Sequence, residues 1–425
     1  MSMTHSASTF SRKYSRELLI SLALAFSPAL TLAQKAPATP AVGAAVSGAA
    51  TPVTPVTSST ASSIPTVADL STIPAPTVAA TAWVTMDVNS GQIVGALNAQ
   101  EKIEPASLTK LMSAYVVFDA LANKRITLEQ TVNVSEKAWK TEGSRMFINP
   151  NTQVSVDELL QGLIVQSGND ATVALAEAVA GSESAFVALM NQEAAKLGLK
   201  DTHFTNSPGL PDPEHLTTVH DLAILAKNLM ANFPQYTHYY SQKEYTYNKI
   251  KQPNRNRLLW VDPTVDGLKT GHTKSAGYCL VSTALRDGRR VVSVLVGAPS
   301  NSARNESSLK LLNWSYQNFE TIKLFDDANP AVQARVWEGQ QENVGLSALK
   351  PIWVTVPRGK GSEVKPVAQY TQPLIAPLAK GAKVGTVSLS LGDRVLRQEP
   401  LLVLNDVAEA GFFSRMYDKI RLMFE

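Results

Sequence analysis

The stretch GYCLVSTALRDGRRVVSVLVG, residues 277–297, decides the fold class of this chain. Its two halves are rich in β-branched residues, and the dipeptide Asp287-Gly288 between them favours a turn, so the stretch predicts a β-hairpin. A second hairpin is predicted at residues 83–97, where WVTMDV and QIVGAL flank Asn89-Ser90-Gly91. Because helix-period segments separate the two hairpins, the order predicts an α+β fold in which one antiparallel sheet is flanked by helices.

The helices are predicted where apolar residues recur with a period near 3.6. Thr218, with Asp221 three residues later, resembles a capping box for a helix that ends near Ala231. The other predicted helices are Ser107 to Ala122, Val156 to Gln166, Ala171 to Ala180 and Leu309 to Phe319.

The N-terminal residues have the pattern of a targeting segment. Arg12, Lys13 and Arg16 precede an apolar stretch that ends in small residues at Ala33. Residues 1–33 are therefore predicted to be a secretory signal peptide, with a retained anchor or a buried helix as the alternative.

Composition divides the rest of the 425 residues. Residues 34–78 are mostly Pro, Ala, Thr, Ser and Gly without an aromatic residue, which predicts a disordered tether, and order is expected to begin at Trp83. Residues 79–328 hold the mixed domain. Residues 329–405 have only short β patterns, such as KVGTVSLSL and PLLVL, which predict a small all-β domain.

Residues 406–425 are predicted to form an amphipathic helix with one apolar and one charged face. The apolar arc consists of Phe412, Phe413, Met416, Ile420, Met423 and Phe424, and the opposite face of Arg415, Asp418, Lys419 and Arg421, with Leu422 as the exception. Such a helix is typical of a membrane interface. The alternative is that its apolar face packs on the β domain, but its place at the end of an exported chain favours peripheral membrane association.

Composition also excludes several classes of function. With 39 Lys and Arg against 36 Asp and Glu, the net charge is +3 and no segment is a basic stripe, so no nucleic-acid partner is expected. The single cysteine, Cys279, excludes a disulfide within the chain and a multi-cysteine zinc site. The six histidines show no HExxH pattern, so no metal and no cofactor are expected.

Three short motifs follow one another along the mixed domain: Ser107-Leu-Thr-Lys110, Ser167-Gly-Asn169 and Lys269-Thr-Gly271. Each alone is weak, since Ser107 can simply cap a helix, Ser167 can belong to an ordinary loop and Lys269 can be a solvated strand end. Together, at a helix start, a break between helices and a strand, they predict a nucleophilic site.

The first motif has the spacing that a serine nucleophile needs. Ser107 and Lys110 are three residues apart at a helix start, so hydroxyl and amine share one face. A serine hydroxyl becomes nucleophilic when a base takes its proton, and a lysine is a base where burial and a nearby cation favour its neutral form. Lys269 is a candidate for that cation. In the third motif, Gly271 is expected to leave room for an extended substrate beside the strand.

The stretches that carry these motifs, PASLTK, SGND, KTGHT and AGYCLVSTA, resemble the active-site elements of penicillin-recognising serine acyltransferases. The chain is specifically similar to D-alanyl-D-alanine carboxypeptidases among the low-molecular-mass penicillin-binding proteins, peptidase family S11, class C type 5. The resemblance runs from about Val78 to the C-terminus and includes GSRMF, NRNRLLW, IWVTVPRG and FFSRMYDKIRLMF. It implies a β-lactamase/transpeptidase-like domain, a β domain and an amphipathic anchor on the periplasmic face of the bacterial inner membrane.

The resemblance also implies a role for each motif residue. Ser107 is the expected nucleophile, Lys110 its base and Ser167 a proton relay to the leaving group. The expected substrate-binding residues are Asn169, Lys269, Thr270 and His272, with Arg255 and Arg304 near the cleft and the N–H groups of Ser107 and His272 as the oxyanion hole. The implied substrate is a peptidoglycan pentapeptide ending in D-Ala-D-Ala, and β-lactam antibiotics are expected to be covalent inhibitors.

Two alternatives to the carboxypeptidase remain open. A β-lactamase is one, since Pro213-Glu214-His215-Leu216 has a glutamate in a loop comparable to the one that activates the deacylating water in class A enzymes. The other is a non-catalytic envelope protein that binds peptidoglycan, although the complete set of motif residues argues against it.

Overall fold

The computed structural model of the chain describes residues 65–325 and 330–424. The predicted signal peptide and the first part of the predicted tether, up to residue 64, lie outside the described residues. The helices are α1 Lys110–Ala122, α2 Glu136–Lys140, α3 Val156–Gln161, α4 Asn169–Ala180, α5 Glu183–Leu197, α6 Val219–Asn232, α7 His238–Ser241, α8 Leu258–Val261, α9 Asn301–Asn318 and α10 Phe412–Leu422. A π-helical turn spans Gly162–Gln166, and 3₁₀ turns span Val67–Leu70, Ala106–Thr109, Pro234–Tyr236 and Gly361–Glu363.

The strands of the mixed domain are β1 Ala82–Asp87, β2 Ile93–Leu97, β3 Thr131–Asn133, β4 Gln153–Ser155, β5 Glu244–Tyr247, β6 Ile250–Pro253, β7 Val265–Thr273, β8 Gly277–Arg286 and β9 Arg289–Ala298. Those of the β domain are β10 Phe319–Phe325, β11 Val332–Trp337, β12 Asn343–Ser347, β13 Ile352–Pro357, β14 Val364–Tyr370, β15 Leu374–Ile375, β16 Lys383–Leu391 and β17 Arg394–Val403.

Five antiparallel strands form the central sheet, in the order β2-β1-β9-β8-β7. The two predicted hairpins meet in its middle, where Val84 of β1 lies opposite Val294 of β9. These two valines face the main core, which contains α1 and α6. The neighbouring residues on the two strands, Trp83 and Leu295, face the other side of the sheet and pack against Leu311 of α9. The prediction of an antiparallel sheet flanked by helices is confirmed.

Strand β7 is an edge of this sheet, because it pairs only with β8 among the described strands. The Lys269-Thr-Gly motif lies within this strand, which continues as far as Thr273. The sequence placed the motif at the end of a shorter run. Because β7 is an edge strand, the backbone of the motif has one side without a neighbouring strand in the described part of the chain, close to the turn that carries Ser107.

Residues 65–78 pack against the mixed domain, so the prediction of a disordered tether, with order starting at Trp83, is wrong for this part. Val67 is 3% exposed and belongs to a cluster with Trp314 and Phe319. The indole Nε1 of Trp314 donates to the carbonyl of Pro74 at 3.0 Å. Composition misses this packing because the segment has few apolar residues, and two of their partners, Trp314 and Phe319, are more than 200 residues away in sequence.

Two helix predictions differ from the structure. Helix α9 begins at Asn301, eight residues earlier than predicted, and Ser300 caps it by accepting a hydrogen bond from Ala303 N. Its first two turns are polar and therefore lack hydrophobic periodicity. Thr218 caps α6 as predicted, but the Asp221 carboxylate accepts from Asp201 N instead of returning to the cap, so only half of the predicted box forms.

The β domain has its own core and two sheets. A six-stranded sheet has the order β14-β16-β17-β12-β11-β15, and β10 pairs with β13. The predicted small all-β domain is confirmed. It contacts the mixed domain at the turn between β1 and β2, where Ser90 Oγ lies 2.6 Å from Thr355 Oγ1 and Thr321 Oγ1 donates to Asp87 Oδ2 at 2.6 Å.

Helix α10 contacts the β domain through polar groups. Glu338 N donates to Asp418 Oδ2 at 2.7 Å, and the Arg421 guanidinium lies 5.9 Å from the centre of the Trp337 ring. Its apolar residues are exposed: Phe412, Phe413, Met416, Tyr417, Ile420, Met423 and Phe424. Within the described residues no single helix is long and apolar enough to cross a membrane, and one bent pair, α4 with α5, meets that criterion by length and composition alone.

Candidate active site

The three sequence motifs come together at one cleft of about 530 Å³. Ser107 lies in the 3₁₀ turn before α1, Ser167 in the break before α4, and the third motif on β7. Four of the predicted site residues line the cleft: Ser107, Ser167, Thr270 and His272. The other three, Lys110, Asn169 and Lys269, are buried.

Lys110 is completely buried and contacts three acceptors. Its Nζ lies 2.6 Å from Asn169 Oδ1, 2.7 Å from the Pro208 carbonyl and 3.3 Å from Ser107 Oγ. Burial, reinforced by the positive charge of Arg255, lowers the pKa of Lys110 to about 7, although Asp170 opposes the shift. In the neutral amine, the two N–H groups serve the two short contacts, so the lone pair is left to accept the Ser107 proton.

Ser167 combines an unusual backbone conformation with a hydroxyl that is available to a ligand. Its φ of +66° is left-handed, and its buried Oγ has no hydrogen-bond partner among the described residues. The π-helical turn before it ends where Gly168 N donates to the Gly162 carbonyl at 2.9 Å. A buried hydroxyl without a partner costs about 1–3 kcal/mol, and here it faces a cleft in which a substrate can supply the partner.

Asn169 and Asp170 fix the loop on the far side of the cleft. Asn169 Nδ2 donates to the Glu142 carbonyl at 2.5 Å. The buried Asp170 carboxylate accepts from Met146 N and Phe147 N, both at 2.9 Å. The loop containing GSRMF is thus held by the two residues that follow Ser167-Gly168.

Lys269 is buried beneath the cleft, and Arg255 rather than Lys269 is the cation that lowers the pKa of Lys110. Lys269 is 2% exposed, and its Nζ donates to the Thr270 carbonyl at 3.0 Å. Burial, followed by the charges of Lys110, Arg255 and Arg304, lowers the pKa of Lys269 well below its ordinary value.

The cleft lining carries cations but no acidic side chain. Arg255, Arg257 and Arg304 line it, and among the described residues no Asp or Glu does. Arg304 is buried, and its guanidinium donates to Asn301 Oδ1 at 2.6 Å and to the Arg255 carbonyl at 3.3 Å. Beside it, the His272 ring lies 4.2 Å from the Tyr278 ring. This arrangement favours a ligand with an anionic group.

Comparison with known proteins gives two family matches along the chain. The model of the D-alanyl-D-alanine carboxypeptidases, peptidase family S11, matches residues 69–300. The model of the C-terminal domain of penicillin-binding protein 5 matches residues 319–409. The chain belongs to the D-alanyl-D-alanine carboxypeptidase family.

Relatives and solved structures agree with this membership. D-alanyl-D-alanine carboxypeptidase DacC of Escherichia coli K12 is 44% identical over 83% of this chain and 90% of its own length. The structure of penicillin binding protein 5 from Haemophilus influenzae is 43% identical, covers 79% of this chain and 100% of its own, and superposes with a TM-score of 0.75. Ampicillin-bound penicillin-binding protein D2 of Listeria monocytogenes is 29% identical over 57% of this chain and 100% of its own, with a TM-score of 0.53.

Gly271 of this S11 family member has a packing role in addition to the one that the sequence suggested. A Cβ at Gly271 would lie 3.2 Å from Leu108 Cγ and 3.3 Å from the Pro105 carbonyl. The missing side chain therefore lets β7 approach the Ser107 turn closely. Gly271 also lines the cleft together with Thr270 and His272, so its lack of a side chain serves both the packing of β7 and the open space of the cleft.

Two further features from the sequence concern Glu214, the candidate of the β-lactamase alternative, and metal ligands. Glu214 is exposed and is not part of the cleft lining, so it has no position from which to activate a water at Ser107. In the described part of the chain, no three His, Cys, Asp or Glu side chains cluster as metal ligands.

Sequence reasoning missed the link between Thr109 and His215. It treated His215 as an ordinary core or surface residue, yet its Nε2 lies 2.8 Å from Thr109 Oγ1 inside the first motif. No spacing rule connects two positions that are 106 residues apart.

Proposed function

We propose that the chain is a serine-type D-Ala-D-Ala carboxypeptidase that removes the terminal D-alanine from peptidoglycan pentapeptides. The observation that carries the proposal is the buried Lys110 amine, which has a pKa of about 7 and leaves its lone pair for Ser107. The family membership of the chain supports the choice of substrate.

The reaction follows from the positions of the motif residues. Ser107 Oγ attacks the carbonyl carbon of the penultimate D-alanine while Lys110 takes the hydroxyl proton. The tetrahedral oxyanion is stabilised by the backbone N–H groups of Ser107 and His272. Ser167, whose hydroxyl is unpartnered, relays the proton from Lys110 to the leaving nitrogen, and D-alanine departs. Water then hydrolyses the ester and restores the Ser107 hydroxyl.

Substrate binding uses the charge of the cleft. The terminal carboxylate of the peptide is held by Lys269, Thr270 and the neighbouring Arg304, while Asn169 and His272 orient the peptide backbone. A carboxylate among these groups is favourable because the lining holds three arginines and no acid. No metal or cofactor takes part.

Penicillins acylate Ser107 by the same steps. Their β-lactam carbonyl takes the place of the scissile amide, and the acyl-enzyme is hydrolysed slowly. A relative of known structure, protein D2 of Listeria monocytogenes, is described in its ampicillin-bound form.

The place of action that we propose is the periplasmic face of the bacterial inner membrane. The support is the leader-like sequence at residues 1–33 and the exposed apolar face of α10. Removing Gly411 to Glu425 is expected to leave activity intact and to release the protein from membranes. Sedimentation of the shortened, active protein with membranes would contradict the anchor.

The central experiment combines two measurements on one preparation. Release of D-alanine from a pentapeptide and covalent labelling with a fluorescent penicillin are followed for the wild type, for Ser107→Ala and for the control Ser113→Ala, which lies in the helix α1 that follows the Ser107 turn. The carboxypeptidase releases D-alanine and keeps its label, and Ser107→Ala loses both. A β-lactamase loses the label rapidly and releases little D-alanine, and a non-catalytic protein takes no label.

A further inference from the structure

His215 does not line the cleft, yet it is buried against the turn that presents Ser107. The ring is 2% exposed, and its Nε2 lies 2.8 Å from Thr109 Oγ1. The Thr109 hydroxyl in turn donates to the carbonyl of Ala106 at 2.7 Å. The two groups therefore connect His215 to the peptide unit immediately before the nucleophile.

The direction of every hydrogen bond in this link is fixed. Thr205 N lies 3.0 Å from His215 Nδ1, and because a backbone amide can only donate, Nδ1 is the unprotonated nitrogen. Nε2 therefore carries the proton and donates it to Thr109 Oγ1. The carbonyl of Ala106 can only accept, so the hydroxyl hydrogen points to it. A single tautomer of the neutral ring satisfies all partners.

The turn that this link holds is a conformation that needs support. Ala106 has a left-handed φ of +48°, which residues with a Cβ rarely adopt. Gly209 packs directly on it, since a Cβ at Gly209 would lie 1.9 Å from the Ala106 carbonyl oxygen. The carbonyl of Pro208 accepts from Lys110 Nζ at 2.7 Å. One loop thus contacts the residues on both sides of Ser107.

The ring stays neutral at the pH of the reaction. Burial lowers the pKa of His215 to about 4, while Asp212 and Glu104 act in the opposite direction and His203 in the same one. A second proton would have to sit on Nδ1, where it would face the N–H of Thr205. The link is therefore intact throughout the pH range in which Lys110 titrates.

We propose that His215 is a positioning residue for acylation: through Thr109 it holds the left-handed turn at Ala106 and thereby the direction of the Ser107 hydroxyl. This inference rests on the proposed acylation of Ser107. Its chemical contribution is geometric, because misplacing a nucleophile by about 1 Å is enough to cost about a hundredfold in rate.

The test measures two constants with a fluorescent penicillin: the dissociation constant of the non-covalent complex and the rate constant of acylation. Thr109→Val removes the hydroxyl at nearly constant volume and is expected to slow acylation about 10- to 100-fold with less than a twofold change in dissociation constant. Thr109→Ser and His215→Gln are conservative single variants that keep the hydrogen-bond donors and acceptors of the link. Each should therefore retain most of the wild-type acylation rate. The matched control is His203→Gln, an exposed histidine of the same region, which should change neither constant.

A double variant distinguishes a positioning role of the link from a general loss of packing. His215→Ala and Thr109→Val interrupt the same link, so the double variant should lose no more than the slower single variant. Wild-type acylation by a Thr109→Val protein that keeps its melting temperature overturns the inference, as do losses that multiply in the double variant. If Thr109→Val does not fold, Thr109→Ala takes its place. It is likewise expected to slow acylation, and wild-type acylation by a folded Thr109→Ala protein would likewise overturn the inference. Absence of label on the wild type refutes the proposed function itself, whereas a labelled wild type with unaffected variants refutes only the positioning role.

Discussion

Lys110 Nζ and Asn169 Oδ1 lie 2.6 Å apart beneath the cleft. This contact, with that to the Pro208 carbonyl, occupies both N–H groups of a neutral amine and points its lone pair at Ser107. Because the neutral amine is the form that takes the serine proton, the pKa of Lys110, about 7, sets the lower pH limit of acylation. The acylation rate of the wild type is expected to rise about tenfold per pH unit below pH 7 and to level off above it.

Asn169→Asp tests this dependence by placing a carboxylate next to the amine. An adjacent negative charge favours the protonated form and raises the pKa of Lys110, so the rise in acylation rate should move to higher pH by at least about one unit. The measurement is the penicillin acylation rate between pH 5 and 10. Asn123→Asp, an exposed position at the end of α1, is the control and should leave the profile in place. A profile that stays at pH 7 in Asn169→Asp argues against Lys110 as the base.

Ser167→Ala should separate stability from activity. The hydroxyl has no partner in the described structure, so its removal is expected to leave the melting temperature unchanged or raise it, while D-alanine release falls by at least about a hundredfold through loss of proton relay. Ser293→Ala is a matched control, since Ser293 Oγ is also buried and unpartnered but lies in β9, away from the cleft. It should keep full activity. A large loss of stability in Ser167→Ala would show instead that the hydroxyl supports the loop.

The exposed apolar face of α10 allows a test of membrane contact that leaves folding untouched. Phe412 and Phe413 are 62% and 86% exposed, so the double substitution to serine should not change the free energy of unfolding. Burying each ring in a membrane interface is worth about 1.5–3 kcal/mol, so vesicle binding should weaken at least about tenfold. Sedimentation with anionic vesicles measures this, and Leu349→Ser, at an exposed apolar position of the β domain, is the control. Unchanged binding in the double variant would contradict the anchor.

The ordered segment before β1 should contribute to stability. Val67→Ala removes two buried methyl groups from the cluster with Trp314, so the free energy of unfolding is expected to fall by about 1.5 kcal/mol. Val261→Ala, at a position that is 61% exposed, should cost less than about 0.5 kcal/mol. Denaturant unfolding of both variants provides the comparison. Equal stability of Val67→Ala and wild type would mean that this segment detaches in solution.

The sequence was sufficient for the parts of the site that depend on short spacing or on strand alternation. Ser107 and Lys110 are three residues apart on a helix start, and the hairpin at residues 277–297 has a strong pattern, so both were predicted. The convergence of Ser167 and Lys269 on the same cleft came from family resemblance, because no local rule relates positions about 100 residues apart.

Other features could not be read from the chain because they are properties of packing. The close approach of Gly271 to Leu108 is one such property, because it depends on how β7 packs against the turn that carries Ser107. The packing of Val67 and Pro74 depends on Trp314, which is remote in sequence. The link between His215 and Thr109 is likewise invisible without coordinates.

The turn between β1 and β2, Asn89-Ser90-Gly91, lies at the contact between the two domains, and Ser90 is buried there. Asp87 accepts from Ser90 N, from Arg289 Nε and from Thr321 Oγ1, and so joins a turn, the central sheet and the first strand of the β domain at one carboxylate. Separating the domains would break the hydrogen bond from Thr321 Oγ1 to Asp87 and the contact between Ser90 Oγ and Thr355 Oγ1. The two domains are consequently expected to unfold as one cooperative unit. A substitution that destabilises the β domain should therefore also destabilise β1 of the central sheet.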